Sequence, residues 1–100
     1  MKRNFNVALQ TLEGEPVIDE GKQVQLKAVA INALLATYQD EQNLDGNEKL
    51  RRYKLAQAIS AANGGDADLS LEDATLLKNL IGKGFPPLVV GQVFALLEGD

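Results

Sequence analysis

Four cations fall within six positions of this chain: Lys49, Arg51, Arg52 and Lys54. Such a cluster can neutralise phosphates or meet an acidic protein surface. On a helix it can equally form a solvated face, because Asp45 with Lys49 and Glu48 with Arg52 have the i,i+4 order that supports an isolated helix. The net charge of −4 opposes broad, nonspecific nucleic-acid binding and makes it an unlikely partner, although a local basic patch can coexist with it. An acidic protein surface is therefore at least as good a partner for these residues as a phosphate.

Carboxylates give no site of their own. Asn43-Leu44-Asp45-Gly46 resembles part of a calcium loop, but with Gly46 in the sixth position the first and twelfth are Glu41 and Arg52. A cation stands where the bidentate carboxylate belongs. Asp66-Ala67-Asp68-Leu69-Ser70 runs into Leu71 where that loop needs glycine. Asp66 and Asp68 could do acid–base work in a pocket, but neighbours in a glycine-rich loop are more simply solvated. Gly82-Lys83-Gly84 lacks the spacing of a phosphate-binding loop and reads as a helix stop. The chain has no histidine and no cysteine, which removes the commonest general base, the commonest metal ligand and every thiolate. No catalytic, cofactor-binding or metal-binding residue is expected, and the protein is not expected to be an enzyme. Tyr38 and Tyr53 read as core-edge residues with wet hydroxyls.

Elements that would hold these residues follow from the apolar spacing. One hundred residues, 45% hydrophobic, suit a single domain with a core of its own. A β-hairpin segment is expected over 1–25 and a helical segment over 26–100. Phe5, Val7 and Leu9 alternate with polar or small residues, the period of a half-buried strand. Glu13-Gly14-Glu15-Pro16 is a turn signal. This predicts strands over 4–11 and 15–19 and an extended piece over 22–25. A two-stranded sheet is marginal alone, so it must lie on the helices.

From Lys27 to Asp40 no charge intervenes. Val29, Ala30, Ala33, Leu34 and Thr37 form one helical stripe, and Ile31, Leu35 and Tyr38 cover much of the other side, the pattern of a buried helix. A second helix is expected over 47–62, with Leu55, Ala58, Ile59 and Ala62 inward and Asn63 or Gly64 in the left-handed cap. Ser70 and Asp73 have the spacing of a capping box for a third helix over 71–81. Ala74, Leu77 and Ile81 would face its core side, and Gly82 and Gly84 would end it. Pro87 suits the first turn of a fourth.

That fourth helix, Leu88 to Leu97, is apolar except at Gly91 and Gln92. Either it completes the core, or Val89, Val90, Val93, Phe94 and Leu97 form part of an interface with another protein or a second copy. Gly91 in mid-helix costs about 1 kcal/mol against alanine, which suggests close approach of another backbone.

Four stretches stand together: Asn4-Phe5-Asn6-Val7-Ala8-Leu9 with its Glu13-Gly14-Glu15-Pro16 turn, Val29-Ala30-Ile31-Asn32-Ala33-Leu34-Leu35-Ala36, Glu48-Lys49-Leu50-Arg51-Arg52-Tyr53, and Leu71-Glu72-Asp73-Ala74 leading to Pro87-Leu88-Val89-Val90-Gly91-Gln92. In these the chain resembles small proteins of tailed phages and prophages. Some such proteins are similar to tail assembly chaperones, and others bind host proteins or phage regulators. The resemblance implies binding rather than chemistry and brings no active-site residue with it.

The expectation is an α+β, mostly helical fold with an N-terminal hairpin on about four helices. It would serve a non-enzymatic, protein-binding accessory factor of a phage or prophage that can self-associate. The alternatives are a virion assembly or structural component and a nucleic-acid-associated regulator using the basic face. No cofactor is expected. No apolar run nears the ~20 residues that span a bilayer, and Met1-Lys2-Arg3 has no apolar run behind it, so the host cytoplasm is the default compartment.

Overall fold

The computed structural model describes residues 1–62 and 65–98. In chain order the elements are β1 (Lys2–Arg3), β2 (Ile18–Asp19), β3 (Lys22–Gln23), α1 (Leu26–Leu35), α2 (Gly46–Ala61), β4 (Ala67–Asp68), α3 (Leu71–Gly84) and α4 (Pro87–Glu98). The fold is α+β and mostly helical. No helix among the described residues is long and apolar enough to cross a membrane.

The N-terminal quarter is not the pair of long strands that its alternation predicts. β2 and β3 form a short antiparallel ladder across a turn in which both Glu20 (φ 52) and Gly21 (φ 78) are left-handed, the requirement of a tight primed turn. The Glu13-Gly14-Glu15-Pro16 turn is present, with Gly14 at φ 90 and Gln10 bridged to Pro16. Three extended runs then hold one another in a ring. Val17 N–H donates to Leu9 C=O (2.8 Å), Val24 N–H to Val17 C=O (2.9 Å) and Leu9 N–H to Val24 C=O (2.7 Å). Phe5 and Leu9 enter the core, but Val7 between them is exposed. The cause is local: Asn4 Oδ1 accepts from the Asn6 N–H at 2.8 Å, an Asx turn that bends the run out of a flat ladder.

This segment also caps the first helix. Gln25 gives α1 no side-chain cap. Instead the N–H groups of Leu26 and Lys27 donate to the carbonyls of Val7 and Phe5, both at 2.8 Å, which satisfies donors a helix start otherwise leaves open. The helix is shorter than its charge-free run suggests. It ends at Leu35, Thr37 lies beyond it, and Leu35 is 55% exposed, so α1 is buried on one side rather than all round. β1 pairs with β4, tying the start of the chain to the stretch before α3.

α1 packs against both α2 and α3, and α3 packs on α4. The buried residues of α2 are Arg52, Leu55, Ala56 and Ile59. Ala58 is exposed, so its expected inward stripe is rotated toward Arg52 and Ala56. Asp45 caps this helix by accepting from the Asn47 N–H at 3.1 Å. The expected cap at Asn63 or Gly64 lies outside the described residues. α3 carries the full capping box: Asp73 N–H donates to Ser70 Oγ at 3.0 Å, and Ser70 N–H donates to Asp73 Oδ2 at 3.2 Å. It continues through Gly82 to Gly84 before Phe85 ends it.

Candidate functional site

The connection between α1 and α2, residues 36–45, brings Asp40 and Glu41 together with Arg52 and Lys83. A short 3₁₀ turn at Gln39–Glu41 aims Glu41 at α2. Both of its carboxylate oxygens accept from Arg52, Oε1 from Nη1 at 2.7 Å and Oε2 from Nη2 at 2.8 Å. Glu48, one turn back along α2, accepts from Arg52 Nε at 3.2 Å. The guanidinium is thus held on two sides while its residue is only 5% exposed, which is how a buried cation is tolerated. Lys83, near the end of α3, donates to Asp40 at 3.2 Å and pairs with Glu41 Oε2 at 3.1 Å. Its ammonium also lies 4.9 Å from the centre of the Tyr38 ring. Tyr38 donates its hydroxyl to Ala33 C=O at 2.7 Å, so that hydroxyl serves to end α1 rather than to face water.

Titration follows from these partners. Hydrogen bonds from Arg52, strengthened by Lys83, pull the Glu41 carboxyl down to about 2 against the opposing effect of burial. The same bond from the other side raises the Arg52 guanidinium. Burial raises the Tyr38 hydroxyl, with Lys83 and Arg52 opposing it. For Lys83, desolvation works downward, and the bonds to Glu41 and Asp40 outweigh it and raise the ammonium. Glu41, Arg52 and Lys83 thus keep mutually matched charges around neutrality, and the Tyr38 hydroxyl stays neutral. None is set near neutrality, where a general acid or base works best.

A part-enclosed cavity of about 280 Å³ lies beside this network, between residues 34–38, the Glu41–Leu44 stretch and α2. Two wider, shallower depressions lie at the other side of α2, where it meets the start of α3, and share Arg51 and Asp73.

The four basic residues do not share a face. Arg52 points inward. Arg51 reaches Glu48 at 3.4 Å and Asp73 at 3.6 Å. Lys49 and Lys54 are exposed and make no ion pair among the described residues, and at 100° per residue they stand about 140° apart around the helix. The expected Glu48–Arg52 pair forms, while Asp45 caps the helix instead of meeting Lys49.

The last helix is mainly core. Val89, Val93 and Leu97 are buried in the chain's own interior and are not available to a partner in this fold. Val90 and Phe94 are half-buried against the same core. The Lys78 ammonium lies 5.2 Å from the centre of the Phe94 ring. Gly91 has nothing within 4 Å of where a Cβ would stand, so no backbone among the described residues approaches it. Gln92 has a definite role: its Oε1 accepts from Gln10 N–H at 2.9 Å and its Nε2 donates to Gln10 C=O at 2.6 Å. This polar break in the apolar run docks the N-terminal segment.

Spacing alone did not reveal Glu41, Lys83 and Tyr38 as one network, because they come from three separate stretches. The available signal was the opposite charge of Glu41 and Arg52 at the ends of the failed calcium loop. Leu50 and Leu71 were also missed as surface residues, although each lies off the apolar stripe of its own helix. Compared with protein-family models, curated proteins and solved structures, the chain matches none of them.

Proposed function

We propose that this protein is a non-enzymatic accessory factor that acts by holding another protein, and that the partner sits where α2 meets the start of α3. The observation that carries this reading is the exposure of large apolar side chains there. Leu71 is 78% and Leu50 47% exposed, on either side of Arg51, in the two depressions that share it. Exposed apolar residues with an arginine among them have the composition of a protein interface rather than of a solvated helix face. The mutual pairing of the buried charges supports binding over catalysis. Burial of Arg52 and pairing of Arg51 leave too little free positive charge on one face to favour a nucleic acid. The phage or prophage setting rests on the resemblance described above.

The test compares tagged wild-type protein with the Leu50→Ser/Leu71→Ser variant, each used to capture proteins from infected or induced cells. Both side chains are solvent-facing, so the variant should keep the wild-type circular dichroism and melting temperature. A protein captured by the wild type and lost from the variant supports the reading. Identical captured sets, or none, overturn it.

A further inference from the structure

The cavity beside residues 36–44 has apolar walls at Leu34, Leu35 and Leu44, and Arg52 and Lys49 also line it. Its volume of about 280 Å³ is ~9 times the share of one liquid water molecule. It therefore suits a molecule of several carbons better than a single ion.

Hydrogen-bonding capacity decides the polarity of an occupant. A guanidinium has five N–H donors, and the carboxylates of Glu41 and Glu48 take three of them. Nη1 and Nη2 each keep a second N–H beyond these bonds, on a side chain only 6% exposed. Lys49 adds an ammonium with no ion pair among the described residues. On the acidic side, both Glu41 oxygens are already engaged by Arg52, and Oε2 also by Lys83. The cavity thus has spare donors beside apolar walls.

We propose that this cavity binds a carboxylate carried on a short aliphatic group. The oxygens face Arg52 and Lys49, and the hydrocarbon lies against Leu34, Leu35 and Leu44. The site is separate from the α2–α3 surface, and its test does not depend on that reading.

Amide-resolved NMR titration of the whole chain with hexanoate, hexanol and hexylamine tests it. Hexanoate should give saturable shifts at Leu35, Leu44 and Lys49 and bind about tenfold tighter than hexanol, a difference of ~1.4 kcal/mol, with hexylamine weakest. Lys49→Gln, at an exposed position, should keep the melting temperature and reduce hexanoate to hexanol's affinity. N-acetyl-leucine identifies the source: tighter binding than hexanoate assigns the carboxylate to the end of a polypeptide, and weaker binding assigns it to a free acid. Hexanol or hexylamine matching hexanoate, shifts that never saturate, or a preference unchanged in Lys49→Gln would each overturn the proposal.

Discussion

Glu41 and Arg52 close the polar connection between the first two helices as a buckle closes a strap. Their two parallel hydrogen bonds, at 2.7 and 2.8 Å, join residues eleven positions apart. One partner is at the core boundary and the other, on Glu41, retains 19% side-chain exposure. That asymmetry determines what each substitution does.

Glu41→Gln should destabilise the fold by about 3 kcal/mol, because it leaves a buried guanidinium with Glu48 as its only carboxylate. The double variant Glu41→Leu/Arg52→Met should be more stable than Glu41→Gln alone, because it removes the buried charge together with its partner. Urea denaturation of the wild type, Glu41→Leu, Arg52→Met and the double variant gives the coupling energy directly. A double variant no more stable than Glu41→Gln would show that Arg52 is held by packing rather than by its charge.

The same pair shapes acid stability. The Glu41 carboxyl titrates near 2 in the fold against an ordinary value of 4.5. A depressed carboxyl contributes stability that is complete above the unfolded value and is lost as pH falls through the folded one. The window therefore runs from 4.5 down to about 2. With the solvent-facing edge of the carboxylate screened, the contribution is on the order of 2 kcal/mol. Denaturation midpoints measured down this range should fall more steeply for the wild type than for Glu41→Gln, and the gap between the two curves should narrow toward the acid end.

Gln92 docks the N-terminal segment on α4 through the backbone of Gln10. Gln92→Leu removes both hydrogen bonds but leaves the exposed Gln10 groups to water, so it should cost only about 1 kcal/mol. The effect should be local, with faster hydrogen exchange at the Gln10 amide. Gln92→Glu keeps the acceptor and loses the donor, so its carboxylate faces the Gln10 carbonyl. The carbonyl disfavours the charged form, so the variant should be less stable than Gln92→Leu at neutral pH and recover as pH falls toward the ordinary glutamate range, with recovery complete below it. Parallel exchange rates in Gln92→Glu and Gln92→Leu at neutral pH would count against this geometry.

The helices were largely legible because each carries its own signal. Ser70 and Asp73 announced the start of α3, and Pro87 the start of α4. Local spacing says less about the face a helix presents. Ala56 and Ala58 are chemically identical and two positions apart, and only the packing around α2 decides that the first is buried and the second exposed. The N-terminal segment misled for a related reason. The alternation of Phe5, Val7 and Leu9 is real, but the Asx turn at Asn4 and the ring of bonds among Leu9, Val17 and Val24 divert it. Pairs such as β1 with β4, or Gln92 with Gln10, span most of the chain, and no short window contains both members. The candidate site was half legible: Arg52 was singled out and its pairing with Glu48 was in view, but Glu41, which holds it from the other side, lies outside its helix.

Three glycines of the last two helices separate close approach from mere permissiveness. A Cβ on Gly84 would stand 3.0 Å from Tyr38 Cε1, inside the distance at which neighbours must move. The ring cannot easily give way, since its hydroxyl is bound to Ala33 and Lys83 lies against it. Gly84→Ala should therefore destabilise, by about 1–2 kcal/mol, and should shift the Tyr38 ring resonances. At Gly82 the nearest atom is Phe94 Cζ at 3.8 Å, ordinary contact, and at Gly91 there is open space. Gly91 lies in mid-helix, so Gly91→Ala gains most of the ~1 kcal/mol by which alanine exceeds glycine in a helix. Gly82 lies near a helix end and should gain less. Thermal unfolding of the three single variants should rank Gly91→Ala above Gly82→Ala, with Gly84→Ala below the wild type. A melting temperature for Gly91→Ala lower than the wild type's would mean that something covers that position in solution, returning α4 to consideration as a contact surface.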